Sequence, residues 1–139
     1  LLSFAYSLLA SDCAAALEGA GLDPYVGFLH RARPGRRSLA LDLMEELRTV
    51  LADRFVLSCI NQKVLNAKHF EKQENGAVLL TEEGRRAFLN AWQQKKREVI
   101  THPFLKEKLC WGLVPYVQAL LLARTLRGDL EVYPPFFWK

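Results

Sequence analysis

Hydrophobic positions recur at helical spacing along most of the chain. The first 21 residues are rich in Leu and Ala and stay apolar almost all round until Gly19 and Gly21, which predicts a central buried helix. From Ser38 onward, apolar residues fall on one side of a helix and acids on the other, and this spacing continues to about Val64. The pattern predicts either one bent helix or two helices separated near residues 49 to 53.

Turn residues interrupt the helical pattern at two places. Residues 23 to 37 contain two prolines and two glycines, which predicts a structured loop between the first two helices. Asn75 and Gly76 stand between two short apolar runs, and this dipeptide is typical of a tight hairpin. We therefore expect one short β-hairpin near residues 69-80.

Two further helical segments are predicted in the second half of the chain. The first begins at Thr81, which can cap it, and extends to about Thr101. The second extends from about Leu105 to Arg127, and Pro115 either kinks it or opens its second half. The last twelve residues contain a double proline and several aromatics, which is typical of an extended segment. The predicted fold class is mainly α, a helical bundle with the one β-hairpin.

Length and composition narrow the class of protein. A chain of 139 residues, half of them hydrophobic, suits a single helical domain that covers residues 1-139. The three cysteines are widely separated and never form a CxxC pair, which favours reduced thiols in a cytoplasmic protein over a disulfide framework or a zinc site. No apolar run is convincing as a membrane span. Because the chain opens on Leu1 in mid-helix, we expect it to be a fragment of a larger protein.

The helix from Ser38 carries its acidic residues on one ridge. At about 100° per residue, Asp42, Glu45 and Glu46 share a narrow sector, and spacings of three and four residues bring such side chains together. Like charges repel unless a cation lies between them, and carboxylate oxygens are the usual ligands of a hard divalent ion. If the preceding loop folds back, His30 would complete a set that suits Mn²⁺ as well as Mg²⁺. The alternative is a solvated acidic helix face and a buried histidine.

Basic residues are concentrated in two runs, although the formal net charge is only +4. One run lies in the loop and the other on the helix after Thr81; their members are Arg31, Arg33, Arg36 and Arg37, then Lys95, Lys96 and Arg97. Such runs can neutralise DNA phosphates. The alternative is charged surface that only contacts water.

Four segments of the chain indicate a family more specifically than the composition does. They are LLSFAYSLLASDCAAALEGAGLDPYVGFLH, SLALDLMEELR, HFEKQENGAVLLTEEGRRAF and YPPFFWK. Together, and in this order, they resemble the C-terminal helical domain of the Cas one family, the CRISPR-associated adaptation integrase and endonuclease. The resemblance covers nearly the whole chain.

The resemblance implies a divalent metal site, with Mg²⁺ or Mn²⁺ bound between a glutamate, a histidine and an acidic residue. His30 matches the histidine of the family's GFLH-like loop. Asp42 and Glu45 match an aspartate and a second acid three residues later; the second acid, commonly Asp in the family, is Glu here. Whether Glu45, Asp42 or both reach the ion stays open. The family's glutamate ligand and β-rich N-terminal domain lie upstream, so we expect this fragment to be inactive alone.

The resemblance also implies a function. The family inserts new spacers into CRISPR arrays: the 3′-hydroxyl of a short DNA duplex attacks the CRISPR repeat, and the same site can hydrolyse DNA. The implied partners are double-stranded DNA, as prespacer and repeat, the small Cas two subunit, and a second copy of the full-length protein in a homodimer. The implied cellular location is the cytoplasm, and no membrane is among the implied partners. The alternative is a helical module that binds nucleic acid or protein through its basic face without chemistry.

Overall fold

The computed structural model describes residues 1–22 and 38–136. Within these residues the chain forms five α-helices and two antiparallel ribbons of two strands each. The helices are α1 (Leu2–Gly19), α2 (Ser38–Leu47), α3 (Arg54–Asn61), α4 (Glu82–Lys96) and α5 (Val114–Leu126). The strands are β1 (Phe70–Lys72), β2 (Val78–Leu80), β3 (Val99–Thr101) and β4 (Lys108–Cys110). The mainly α prediction is therefore confirmed.

Helix α1 is the central element, as its apolar sequence predicts. It packs against both α2 and α5, and Ala5, Leu9 and Leu17 are fully buried. The helix ends where Gly21 adopts a φ of +80°, a conformation that glycine reaches without a steric penalty. This turn lets the amide of Leu22 donate to the carbonyl of Leu17 at 2.8 Å, which satisfies one of the last helical carbonyls.

The helical course that begins with α2 continues through a short π-helical segment, Arg48–Asp53, into α3. The segment lies where the sequence predicts a bend or a break. It is held against α1, because the hydroxyl of Tyr6 donates to Oδ1 of Asp53 at 2.5 Å. Phe55 and Cys59 remain buried beyond it, so the apolar face is kept across the change in helical pitch.

The first ribbon confirms the predicted hairpin. Strands β1 and β2 pair with Phe70 opposite Leu80, and the turn between them contains Gly76 at a φ of +87°. The side chain of Asn75 accepts a hydrogen bond from the amide of Ala77 at 3.0 Å. The next helix, α4, is capped as predicted, since Oγ1 of Thr81 accepts from the amide of Gly84 at 3.0 Å.

The second ribbon was not predicted, and the expected helices around it were wrong. Helix α4 ends at Lys96 rather than near Thr101, and α5 begins at Val114 rather than near Leu105. Between them, strands β3 and β4 pair with Ile100 opposite Leu109. The β-branched run that forms β3 favours an extended backbone, and Pro103 prevents a helix from continuing through the turn. Pro115 lies in the first turn of α5 and does not kink it, which agrees with the second of the two predicted roles.

Aromatic residues of α4 fill the space between the helices. The ring of Phe88 lies 5.3 Å from that of Phe4 and 5.0 Å from that of Phe55, and Trp92 lies 5.0 Å from Phe55. Because Trp92 is only 1% exposed, it belongs to the core. Across the described ranges, no helix combines the length and apolar character needed to cross a membrane.

Candidate functional site

Helix α2 presents its acidic ridge beside a pocket of about 480 Å³. The opposite side of the helix is buried in the core through Ala40, Met44 and Leu47, which fixes the direction in which the acids point. Asp42, Glu45 and Glu46 all line the pocket. The remaining lining is mostly apolar and comes from α2, α5 and the segment after α5: Leu39, Leu43, Leu122, Thr125, Leu126, Tyr133 and Pro135.

The three acids of the ridge do not share one environment. Asp42 is only 6% exposed, whereas the side chain of Glu45 is 36% exposed. Oε1 of Glu45 accepts from Nη1 of Arg48 at 3.3 Å, a contact within one turn of helix. A second carboxylate oxygen of Glu45 takes no part in this contact, so Glu45 can bind a cation at the rim of the pocket without breaking a buried interaction.

Glu46 faces a different set of groups. Its carboxylate accepts from the hydroxyl of Tyr133 at 2.8 Å, from the backbone amide of Phe136 at 3.0 Å and from the side-chain amide of Gln118 at 3.3 Å. Burial raises the pKa of Glu46, these three donors lower it, and the nearby charge of Asp42 raises it further. All three donors are neutral. Glu46 is therefore bound to the interior of the protein and is not placed as a cation ligand.

The chemistry of Asp42 and Glu45 fits a hard divalent ion, because both supply carboxylate oxygens from one side of one helix. Within residues 1–22 and 38–136, no group of three or more His, Cys, Asp and Glu side chains could hold a metal ion. Asp42 and Glu45 are thus part of a ligand set at most. The predicted third member, His30, lies outside the described residues, so its role stays a prediction.

The first predicted DNA-binding run also lies outside the described residues; it comprises Arg31, Arg33, Arg36 and Arg37. The second run lies at the end of α4, where its two lysines are paired with acids. Nζ of Lys95 lies 3.3 Å from Oε1 of Glu98, and Nζ of Lys96 lies 3.2 Å from Oδ2 of Asp12. Such pairing reduces the charge that these lysines can offer to phosphate.

Lys96 has a structural role in addition to its charge. Oδ2 of Asp12, its partner on α1, also accepts from the indole Nε1 of Trp92 at 3.1 Å. The contact therefore joins α1 to α4 at the edge of the core. Arg97, which follows the helix, is exposed and has no ion-pair partner among the residues that the structure describes.

His102 has no neighbour at ligand spacing in the sequence, yet it is fully buried in the structure. Its Nε2 lies 2.7 Å from Oε1 of Gln118, which is also fully buried and contacts Glu46. A lone histidine after a threonine and before a proline carries no spacing signal that would reveal this contact. A polar Gln118 within the apolar run of α5 is the only hint that the sequence contains.

Comparison with known proteins identifies the family to which this chain is related. A family model described as CRISPR associated protein Cas1 matches residues 1–94. The whole chain is 62% identical over 139 residues to a protein named CRISPR-associated endonuclease Cas1 2 from Rhodospirillum rubrum. The chain spans 40% of the length of that relative.

Solved structures share the fold. A casposase bound to its integration product superimposes with a TM-score of 0.85 at 30% sequence identity, covering 99% of this chain and 40% of the other. A Cas6-RT-Cas1–Cas2 complex matches with a TM-score of 0.76 at 26% identity, covering 99% of this chain and 15% of the other. The family match and the identity along the full length agree with the resemblance seen in the four sequence segments. This chain therefore belongs to the Cas1 family of CRISPR-associated proteins.

Proposed function

We propose that this chain is the helical catalytic part of a metal-dependent DNA integrase and endonuclease that inserts new spacers into CRISPR arrays. The observation that carries the proposal is the pair Asp42 and Glu45 on one face of α2, beside a pocket, in a fold with a TM-score of 0.85 to a casposase bound to its integration product. The proposal concerns the full-length protein, because the chain spans 40% of its relative.

The proposed reaction exchanges one phosphodiester for another. The 3′-hydroxyl oxygen of a short DNA duplex forms a bond to a phosphorus of the CRISPR repeat, while the bond from that phosphorus to its original 3′ oxygen breaks and the departing oxygen takes up a proton. Because one ester bond forms as another breaks, no energy source is required. When water replaces the attacking hydroxyl, the same step is hydrolytic cleavage.

In this proposal His30, Asp42 and Glu45 hold Mg²⁺ or Mn²⁺, which when bound would neutralise the charge that develops on the phosphoryl oxygens. Glu45 suits this role because it lies at the rim of the pocket and its one described ion pair is a surface contact with Arg48. Asp42 suits it because its carboxylate lies on the same side of α2 as Glu45 and lines the same pocket.

DNA contact is assigned to basic residues near the site. The loop arginines Arg31, Arg33, Arg36 and Arg37 precede α2 directly, and we propose that they and Arg97 neutralise phosphates, with Lys95 and Lys96 in a lesser role. The similarity to a complex named for Cas1 and Cas2 supports a Cas2 partner. A homodimer of the full-length protein in the cytoplasm completes the proposal, and it rests on the family resemblance alone.

The decisive experiment measures the rate at which the full-length protein, with its Cas2 partner and Mn²⁺, joins a labelled duplex to a CRISPR repeat. We expect Glu45→Ala and His30→Ala each to lower this rate by about 100-fold or more, the cost of removing a group that stabilises transition-state charge. The matched control is Glu71→Ala, an exposed acid on β1, which should leave the rate unchanged.

Two results would contradict the proposal. Near-normal integration in both Glu45→Ala and His30→Ala would show that neither residue takes part in the chemistry. Salt-dependent DNA binding by the unmutated protein without any strand transfer or cleavage would favour the alternative, a binding module without chemistry.

A further inference from the structure

A chain of hydrogen bonds leads from His102 to Glu46 through the interior of the protein. Nδ1 of His102 accepts from the backbone amides of Phe104 and Leu105, each at 3.1 Å. Since Nδ1 is an acceptor, the proton of the neutral ring must lie on Nε2. Nε2 then donates to Oε1 of Gln118 at 2.7 Å. The buried histidine therefore sets the orientation of the Gln118 amide.

The orientation of Gln118 determines the rest of the chain. With Oε1 directed at His102, the amide nitrogen of Gln118 donates its two hydrogens to three acceptors: the hydroxyl oxygen of Tyr133 at 2.8 Å, the carbonyl of Pro134 at 3.2 Å and Oε1 of Glu46 at 3.3 Å. The hydroxyl of Tyr133 uses its own proton toward the carboxylate of Glu46. Along this path each residue donates a hydrogen bond to the next, from His102 through Gln118 and Tyr133 to the carboxylate of Glu46, which accepts. We call His102, Gln118, Tyr133 and Glu46 the interior network.

The interior network joins four parts of the fold that are far apart in sequence. His102 follows β3, Gln118 lies on α5, Tyr133 belongs to the segment after α5, and Glu46 lies on α2. The backbone amide of Phe136 adds a direct bond from the same segment to Oε1 of Glu46 at 3.0 Å. As a result, residues 133–136 are held against the helix that carries Asp42 and Glu45.

This contact shapes the pocket of the candidate site. Tyr133 and Pro135 line the same pocket as Asp42 and Glu45, so the held segment forms one of its sides. A DNA strand whose phosphate lies at Glu45 would meet that side. Displacement of the segment would remove binding surface without changing Asp42 or Glu45.

We infer that Glu46 is a positioning residue, which holds residues 133–136 as a DNA-contacting side of the pocket through its acceptor oxygens and not through its charge. The inference rests on the proposed function, because it takes DNA as the molecule that enters the pocket. It distinguishes Glu46 from Glu45, its neighbour in sequence, which the proposed function places at the metal.

The substitution Glu46→Gln keeps an acceptor oxygen at position 46 but removes the negative charge. Its amide oxygen can take the place of Oε1, which accepts from Phe136 and Gln118 at 3.0 and 3.3 Å. Its amide nitrogen would replace Oε2 and can donate to the hydroxyl oxygen of Tyr133, whose own proton can turn to the oxygen at the Oε1 position, 2.9 Å away. Leucine offers no acceptor at all. The pair Glu46→Gln and Glu46→Leu therefore tests which property matters.

The experiment uses the full-length protein and two measurements. Hydrogen exchange at the Phe136 amide reports whether the segment is held, and the half-saturating concentration of duplex DNA in strand transfer, its KM, reports whether the segment contacts DNA. We expect Glu46→Leu to remove the exchange protection and to raise the KM about tenfold, the factor for losing one hydrogen bond to a charged group. Glu46→Gln should stay within about twofold of the unmutated protein in both.

A second variant and a control keep the test decisive. Tyr133→Phe removes one donor while leaving the ring in place, and it should raise the KM about threefold with kcat nearly unchanged. Mere loss of folded protein would instead lower kcat at an unchanged KM, which separates positioning from a general structural defect. Glu131→Leu, at an exposed position in the same segment, should change neither measurement.

Two outcomes would overturn the inference. If Glu46→Gln raises the KM as much as Glu46→Leu, the charge is what matters; if exchange protection is lost while the KM stays constant, the segment does not contact DNA. Failure of the proposed function is a separate result, because it would appear as absent strand transfer in the unmutated protein.

Discussion

Glu45 and Glu46 are adjacent in the sequence, yet they belong to two different regions of the molecule. Glu45 lies at the pocket rim, and its side chain is 36% exposed with Arg48 as its described ion-pair partner. Glu46 ends the interior network, where three neutral donors from α5 and the C-terminal segment reach its carboxylate. The same chemical group is thus left available in one region and fully engaged in the other.

The difference shows how one helix can serve both binding and architecture. A carboxylate that is to bind a cation must not have its oxygens saturated by the protein, whereas a carboxylate that holds a segment in place must. A rotation of about 100° per residue along α2 is enough to move a side chain from one situation to the other. Each of the following predictions tests whether this division is real.

The largest effect is expected for Gln118→Glu. This change would add a carboxylate at a fully buried position whose side-chain nitrogen now lies 3.3 Å from Oε1 of Glu46. Two acids with no cation between them repel, so we expect the free energy of unfolding to fall by about 3 kcal/mol. Urea unfolding of the full-length protein at neutral pH measures this loss.

The matched control for that change is Gln93→Glu on the exposed side of α4. It introduces the same charge in water and should alter the free energy of unfolding by less than about 0.5 kcal/mol. If Gln118→Glu lowers the free energy of unfolding as little as the control does, the interior network does not depend on the neutral amide of Gln118.

A smaller effect is expected from pH. Burial raises the pKa of Glu46, so the folded state binds the proton more tightly than the unfolded state does. The stability contributed by Glu46 is therefore present below the ordinary range of a glutamate pKa and is lost as the pH rises through the raised pKa. The Gln variant does not titrate at this position, so its free energy of unfolding relative to the unmutated protein should increase with pH.

Urea unfolding at a series of pH values, from about 4 to neutrality, checks this slope. The comparison chain is Glu71→Gln, whose site on β1 is exposed and should show no such trend. A slope of the opposite sign would mean that hydrogen bonds to the Glu46 carboxylate outweigh its desolvation.

The smallest effect is expected at the pocket rim. Arg48 and Glu45 form a surface pair, with side chains 44% and 36% exposed, so water screens their attraction. A double-mutant cycle with Arg48→Met and Glu45→Gln should give a coupling in the free energy of unfolding below about 0.5 kcal/mol. A coupling well above that value would place Glu45 among the engaged carboxylates and weaken its assignment as a cation ligand.

Local sequence signals predicted much of the fold. The apolar spacing located α1 and the helix that carries the acids, Asn75 and Gly76 located the first ribbon, and Thr81 located the start of α4. The second ribbon was not predicted, because Val99 to Thr101 follow a strongly helical run. Three residues are too few to show the alternating pattern of a strand. Their pairing with β4 depends on partners that helical spacing does not reveal.

The candidate site was predicted in part for the same reason. The spacing of Asp42, Glu45 and Glu46 follows from helix geometry and needs no knowledge of the rest of the chain. His30, the ligand predicted in the loop before α2, lies outside the described residues, so its place in the site stays a prediction.

The sequence by itself determined that α2 is a helix with its acids on one ridge, because backbone hydrogen bonding and burial of an apolar face act over a few neighbouring residues. It also identified the family, because the similarity to known members extends along the whole chain. Only the tertiary structure decided that Glu45 lies at the rim of the pocket, paired with Arg48, while Glu46 is engaged by donors of the interior. The groups that engage Glu46 lie 72 to 90 residues further along the chain, and no local pattern records which distant donors will reach a given carboxylate.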